Sequence, residues 1–385
     1  MMKVLYIAHC ADLDGSGRAL LHLLTGVGRQ VSPIVILPKK GLLLQELKLR
    51  GIRTLVLPFS IDIWPPMHSL LDLFLWLPRL LRTCLLRELV KVYVTHYVRK
   101  EHIELVHTNS SVIHWGSDVA KRCRIPHVWH VRECQDIGLS LSPLGGMETL
   151  KKKMAERHNH CIAITRFVFQ HHHLTDGKDY LIYDGVFHED KLKMPVFYTR
   201  GNYFLYVGTL SKSKGCYDAI KAFEQVASEV PNVELWLAGE KNTSAIEAVS
   251  KSVYSSRIRL LGFRKDIYDL MQKAIATLVP TFFEVFGFVT TEAMLNGCLV
   301  IGRNTAGTKE QFDNGLHSLG KEIGLRFNNV EELASKMMWA CQANDEEIKV
   351  YTTGAREIVA KYTIERSCEQ LSQLYSHLSK VDMKI

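Results

Sequence analysis

Two carboxylates eight positions apart, Glu284 and Glu292, bracket the run Val285-Phe286-Gly287-Phe288-Val289. The run follows an apolar strand candidate that ends at Val279. After Gly287 small and apolar residues continue to Asn296-Gly297, the pattern of a short helix closed by a glycine. A helix start carries backbone N–H groups without intrahelical acceptors, and these suit the oxygens of a diphosphate. A carboxylate accepts hydrogen bonds from vicinal hydroxyls. One Glu can therefore read a sugar and the other a ribose, with the phosphates between them. The plainer reading, a capped helix with two surface acids, gives an acid-Phe-Gly loop no purpose.

A cationic element lies upstream. The segment Gly208-Thr209-Leu210-Ser211-Lys212-Ser213-Lys214-Gly215 joins a strand to a helix, and Lys214 stands just before the helix N-terminus. There an ammonium and the helix dipole act together on a diphosphate. The spacing differs from a Walker loop, in which Gly-Lys-Ser/Thr ends a longer run. A solvated lysine in a turn is the alternative. Asp14-Gly15-Ser16-Gly17-Arg18 forms a similar turn after the first strand. Gly15 and Gly17 permit close backbone approach, so the turn reads either as a phosphate or sugar cradle or as a tight strand–helix connection. A dinucleotide fingerprint would add a third Gly or Ala and an acid after the second strand. The sequence has Leu20 and Pro38-Lys39-Lys40 instead, which speaks against a nicotinamide dehydrogenase.

These residues need strands to end beside them, and the chain supplies short apolar runs separated by helical patterns. The strand candidates are Val4–Ala8, Ile34–Leu37, Thr54–Leu57, Leu105–Thr108, Val128–Val131, Cys161–Ile164 and Tyr180–Tyr183, then Phe204–Val207, Glu234–Ala238, Ile258–Leu261, Ala276–Val279 and Leu299–Ile301. Continuous apolar strands alternating with helices imply parallel sheets covered on both faces. The alternation lapses around Asp184–Tyr203, where Gly185, Pro195 and Gly201 fall. The expected organisation is a Rossmann-like domain (1–185), a linker (186–202) and a second Rossmann-like domain (203–361). A C-terminal helix (362–385) follows, with Thr363 as its cap and Leu371, Leu374, Tyr375 and Leu378 as a stripe that packs on its own domain or back on the first. Ligands of open α/β sheets bind beyond the carboxyl ends of the strands, so two doubly wound domains facing a central cleft are expected to share one site.

Composition narrows the class. The 385 residues carry 48 Lys+Arg and 40 Asp+Glu, a formal net charge of +8. Residues 1–190 hold 24 basic and 18 acidic side chains (+6), and the remainder 24 and 22 (+2). A mildly basic surface suits phosphorylated ligands or anionic lipid, and no motif points to nucleic acid. Nine scattered cysteines without a CxxC pair argue against a disulfide framework or structural zinc and favour a reducing compartment. The start, MMKVLYIAHCADLD, reads as a strand and not as a signal peptide. A cytoplasmic protein is the expectation. Residues 70–100 combine Leu70, Leu71, Leu73, Phe74, Trp76 and Leu77 with Arg79, Arg82, Arg87, Lys91, Arg99 and Lys100, and Pro78 is expected to kink or split the helix. This stretch reads either as an interfacial helix on the inner, anionic face of a membrane or as a buried crossover helix. His171-His172-His173 reads as a solvated helix face, because adjacent helical residues point apart and no acids have matching spacing.

The Glu284-x7-Glu292 pair, the Gly208…Lys214-Gly215 turn and Asp184-Gly185-Val186 together resemble the retaining glycosyltransferases of family 4, which have the GT-B fold. The resemblance covers nearly the whole chain and implies that domain 1–185 binds the acceptor and domain 203–361 the nucleotide sugar. It implies a metal-independent, cofactor-free transfer of a sugar from a nucleotide diphosphate, UDP-linked first and GDP-mannose second, to a glycan or lipid-linked acceptor in cell-surface polysaccharide or glycoconjugate synthesis. It implies that Glu284 contacts the donor sugar and Glu292 the ribose. The backbone of Phe286, Gly287, Phe288 and Val289 would meet the diphosphate, Lys214 would be the phosphate lysine, and Gly208 and Thr209 would line the donor site. Three departures stand out: Thr209 where the family often has Arg, Asp184 where it often has Asn, and Ala306 in place of a glycine in the loop Ala306-Gly307-Thr308-Lys309-Glu310. Val128-Trp129-His130-Val131-Arg132-Glu133 resembles the family's histidine-bearing strand end, which makes His130 a catalytic candidate. Arg132, Glu133, Asn109, Gly15 and Gly17 are candidates for the acceptor side. A non-catalytic glycosyltransferase-like binding subunit is the alternative, kept open by Thr209 and Ala306.

Overall fold

The computed structural model describes residues 1–385 apart from 66, 68, 139–140, 195–199, 241 and 382–385, so Pro195 of the expected linker lies outside the described residues. The chain forms two compact units. Unit 1 comprises Met1–Gly185 with Ile364–Ile385, and unit 2 comprises Val186–Thr363.

Unit 1 is built on seven parallel strands: β1 (Met2–Ile7), β2 (Val31–Leu37), β3 (Arg53–Val56), β4 (Leu105–Thr108), β5 (His127–Val131), β6 (Asn159–Ala163) and β7 (Tyr180–Leu181), in the order β3-β2-β1-β4-β5-β6-β7. Side chains alternate between the sheet faces. Val4 and Tyr6 of β1 therefore enter one core cluster, and Leu5 and Ile7 enter another. The first cluster is sealed by the C-terminal helix Ile364–Val381, whose Leu371, Leu374, Tyr375 and Leu378 are all buried. That helix meets the helix Gly15–Gly26 closely, since a Cβ on Gly26 would stand 2.4 Å from Cys368 Sγ.

The second cluster takes in Val90, Val94, Tyr97 and Val98 from the back half of the helix Leu70–Glu101. Of the two outcomes expected at Pro78, a kink or a split, the split does not occur: the helix runs through it for 32 residues. Proline removes one i→i−4 bond, here to the carbonyl of Phe74. Phe74 is 79% exposed, so water can satisfy that carbonyl.

Unit 2 has six parallel strands: β8 (Tyr203–Val207), β9 (Glu234–Ala238), β10 (Ile258–Gly262), β11 (Ala276–Val279), β12 (Val300–Arg303) and β13 (Leu325–Phe327), in the order β10-β9-β8-β11-β12-β13. The edge strand β13 has no counterpart among the strands expected from sequence. It is three residues long with Arg326 at its centre, too short and too polar to stand out. In both units the order reverses beside the first strand, the switch point at which doubly wound sheets bind ligands. The described part of 186–202 is packed on unit 2. Val186 donates to the Tyr362 carbonyl, and Arg356 donates to the carbonyls of Leu192 and Met194.

Candidate active site

In unit 2 the Lys214 turn follows β8. Gly215 sits at φ +71°, and a Cβ there would lie 2.1 Å from the Pro280 carbonyl oxygen. Only glycine allows both the left-handed backbone and this approach. The contact lays the turn on the end of β11, reinforced by the Phe282 amide donating to the Ser213 carbonyl. Lys214 Nζ thereby comes within 2.6 Å of Glu284 Oε2. The backbone of Gly208 is tied to the Ala238 carbonyl, and Gly208 itself lies at φ +144°. The Thr209 carbonyl accepts from Tyr206 Oη at 2.7 Å, so this part of the turn is held from beneath by a buried tyrosine.

The helix between the two acids is Phe288–Leu295, with Gly287 as N-cap at φ +91°. It stops as the glycine pattern requires: Gly297 is at φ +67° and its amide bonds to the Met294 carbonyl, while the Cys298 amide bonds to that of Ala293. Glu292 lies in the second turn and is buried, and Phe286 packs edge-on against Phe288 and Tyr362. The loop Glu284–Gly287 is braced from one side. The Gly307 amide donates to the Glu284 carbonyl at 2.7 Å, and Gln311 Nε2 donates to the Phe286 carbonyl at 2.6 Å. A Cβ on Gly307 would meet the Val285 and Phe286 carbonyl oxygens at 2.5 and 2.4 Å.

The segment Ala306–Glu310 is not a loop. It is the first turn of the helix Ala306–Leu319, positioned by β12 immediately before it. Ala306 stands where the family pattern has glycine and adopts φ +39°, a region costly for a residue with a Cβ. Two further supports have no signature in the sequence. Gln311 gives no local signal. Arg303, buried at the end of β12, donates to the Pro280 carbonyl and to Asp218 and lies over the Phe282 ring. Its partners are distant in sequence, so no motif announces it.

In unit 1 the candidates gather at the carboxyl ends of β1, β4 and β5. Asp14 caps the helix Gly15–Gly26, accepting from the Gly17 amide and the Ser16 hydroxyl, each at 2.8 Å. A Cβ on Gly17 would lie 2.1 Å from the Asp12 carbonyl oxygen, whereas one on Gly15 would meet nothing. Gly17 is thus required by the turn itself. Asn109 bridges inward: its Nδ2 donates to the Ser16 carbonyl, and its Oδ1 accepts from Arg132 Nε at 3.1 Å. Arg132 donates to both oxygens of Asp184, at 2.5 Å to Oδ1. The departure Asp184 therefore forms a buried ion pair with another candidate residue. Both oxygens of Glu133 are taken, one by the Ser110 hydroxyl and the other by the Ser111 amide and hydroxyl.

His130 is buried beside this pair. Its Nδ1 lies 3.3 Å from His107 Nε2, and its Nε2 has no hydrogen-bond partner among the described residues, with Asp184 Oδ1 3.9 Å away. Tyr375 donates to Tyr6 at 3.0 Å, so its oxygen accepts from His107 Nδ1 at 2.6 Å. Burial, and then the Arg132 charge, hold His107 and His130 well below the ordinary histidine range, so both rings are neutral. His171–His173 is not a uniformly solvated face: His172 is buried, and His171 pairs with Asp136.

The fold class is α/β with two Rossmann-like parallel-sheet units in tandem, the GT-B architecture. Residues 188–357, nearly all of unit 2, match the family model described as glycosyl transferases group 1. The chain is 31% identical over 115 residues to a glycogen synthase of Mycobacterium tuberculosis, a match covering 29% of this chain and 28% of that one. It is 29% identical over 99 residues to the poly(glycerol-phosphate) alpha-glucosyltransferase of Bacillus subtilis, covering 25% of this chain and 14% of that one. The chain thus spans under a third of the length of these two curated relatives. Among solved structures, Anabaena HepE in complex with UDP superposes with a TM-score of 0.76 at 19% identity, covering 98% of this chain and 100% of that one. Among the described residues, no helix is long and apolar enough to cross a membrane.

Proposed function

We propose that this protein is a glycosyltransferase that moves a sugar from a nucleotide diphosphate to a hydroxyl, with retention of anomeric configuration, as in family 4. The observation that carries the reading is the Lys214–Glu284 pair at 2.6 Å, set before a helix whose second turn bears the buried Glu292. In this reading the diphosphate lies on the first-turn amides of Phe288–Leu295, where no intrahelical acceptor competes. Lys214 turns from Glu284 to the phosphate oxygens, Glu284 then binds the donor sugar, and Glu292 holds the ribose. Negative charge grows on the leaving diphosphate as the glycosidic bond breaks, and the ammonium and amides stabilise it without a divalent metal. The acceptor hydroxyl attacks from the face the diphosphate leaves, and a phosphate oxygen takes its proton. His130, neutral and with one buried ring nitrogen unpartnered among the described residues, is proposed as the catalytic histidine of unit 1. HepE was solved with UDP and with UDP-glucose, which supports a UDP-sugar as donor ahead of GDP-mannose.

The acceptor is proposed to be a glycan or lipid-linked hydroxyl met at an anionic membrane surface. The helix Leu70–Glu101 leaves a ridge of Leu70, Phe74, Leu77, Leu81, Leu85 and Leu89 exposed. Arg82, Arg99 and Lys100 lie on the exposed side and have no carboxylate partner among the described residues. Leucines beside cations that lack a carboxylate partner suit a leaflet that is apolar within and negative at its surface. Co-sedimentation with anionic and neutral vesicles tests this: pelleting with anionic vesicles alone, weakened by salt, is expected, and absence from every pellet sinks the membrane contact.

A thermal-shift panel of UDP-, GDP-, ADP- and dTDP-sugars tests the donor, since a ligand bound only by the folded state raises its stability. Stabilisation by UDP-sugars, with hydrolysis or transfer of the sugar, is the expected result. Stabilisation without turnover toward any hydroxyl acceptor would favour a binding subunit.

A further inference from the structure

Cys134, in the loop after β5, and His171 and His172, at the end of the helix Arg166–His171, offer ligand atoms that all lie within 4.8 Å of one another. Cys134 and His172 are buried and His171 is partly so. Each imidazole is already held through its Nε2. His171 Nε2 lies 2.8 Å from Asp136 Oδ1, and His172 Nε2 lies 2.9 Å from the Glu133 carbonyl. A carboxylate and a carbonyl only accept, so both rings carry a proton on Nε2 and have Nδ1 left to bind. Nδ1 of His172 is buried and without a hydrogen-bond partner among the described residues.

Adjacent residues of a regular helix would point these rings apart. The helix ends at His171 and His172 is its C-cap; their ring centroids lie 5.0 Å apart, edge to face. One thiol and two imidazoles, each ring held by a hydrogen bond at Nε2, form the donor set and supporting shell of a zinc-type centre.

We propose that Cys134 Sγ and the Nδ1 atoms of His171 and His172 bind one divalent cation of the zinc type, with a fourth position left to water. On binding, the Cys134 S–H proton passes to solvent and the thiolate takes up the metal–sulfur bond. The ion ties the segment Arg132–Asp136 to the end of the helix Arg166–His171. That segment carries the Asp184 partner Arg132, so the metal would steady a candidate substrate face. The inference does not depend on the sugar-transfer reading.

The test needs no enzymatic activity. Full-length protein stripped with a chelator is titrated with Co2+ as a spectroscopic stand-in, and with Zn2+ in competition with a chromophoric chelator. One equivalent should bind, with a thiolate-to-cobalt charge-transfer band in the near ultraviolet. Cys134→Ser should abolish the band, and Asp136→Asn should weaken Zn2+ binding about tenfold or more. Cys161→Ser, a buried cysteine of β6, should leave the band intact. Absence of stoichiometric binding or of the thiolate band in the native chain overturns the proposal, whatever the variants do, as does a band that survives Cys134→Ser in folded protein.

Discussion

In unit 2, Lys214 and Glu284 pair with 39% and 30% of their side chains accessible; in unit 1, Arg132 and Asp184 pair with 3% each. A pair half in water is worth at most about 1 kcal/mol, so an anionic ligand can replace one partner at little expense. A pair shut away from water is different, because removing one partner leaves the other charged and unsolvated. Unit 2 holds its charges ready for exchange on backbone fixed by Gly215, Gly287 and Gly307. Unit 1 commits its charges to one another and uses them to orient His130. On the proposed reading, the same doubly wound architecture would serve as a receptor in unit 2 and as a rigid mount in unit 1.

Separating the buried pair should produce the largest change. Asp184→Ala is expected to destabilise the protein by roughly 3–5 kcal/mol, read as a lower urea midpoint. A loss under 1 kcal/mol would place the pair in the same category as Lys214–Glu284.

Lys214→Ala sharpens the contrast from the other side. Its stability should change by less than about 1 kcal/mol. Its turnover with the proposed donor should fall about a hundredfold, the usual consequence of removing one preorganised partner of a growing charge. Normal turnover in this variant would take Lys214 out of the mechanism.

Acid should act mainly through unit 1. Burial depresses His107, His127 and His130, the second to about 3. Between roughly pH 6.5 and these lower values the unfolded chain binds protons that the folded rings refuse. Their contribution is full above about pH 6.5 and is lost as pH falls below it, by up to ~1.4 kcal/mol per unit for each ring. Urea unfolding at pH 7.5 and pH 5 should show this decline, and equal stability at both would contradict neutral buried rings.

The smallest effect is expected at Ala306. Glycine tolerates φ +39° without the Cβ penalty but brings more freedom to the unfolded chain, so Ala306→Gly should stabilise unit 2 by only about 0.5–1 kcal/mol. A destabilised variant would mean the left-handed backbone carries no strain.

Much of this contrast is legible in the amino-acid sequence. The strands Leu105–Thr108, Glu234–Ala238 and Ala276–Val279 have the bounds expected from sequence, because strands covered on both faces read as short, mostly apolar runs. The Glu284…Gly287 loop and the Lys214 turn stand out through residue types whose spacing is local. What stays hidden depends on distant partners. Arg303 and Gln311 look ordinary until β12 and the following helix place them against the Glu284–Gly287 loop. The role of Asp184 depends on Arg132, 52 positions away. His171 and His172 differ from the solvated face expected of them because their partners, Asp136 and the Glu133 carbonyl, lie 35 and 39 positions away.

A crystal structure with UDP bound tests the central claim most directly. The account predicts diphosphate oxygens within about 3 Å of Lys214 Nζ and of the amides that open the helix Phe288–Leu295, with the ribose hydroxyls on Glu292. A diphosphate seated elsewhere, or a ribose turned away from Glu292, would contradict it.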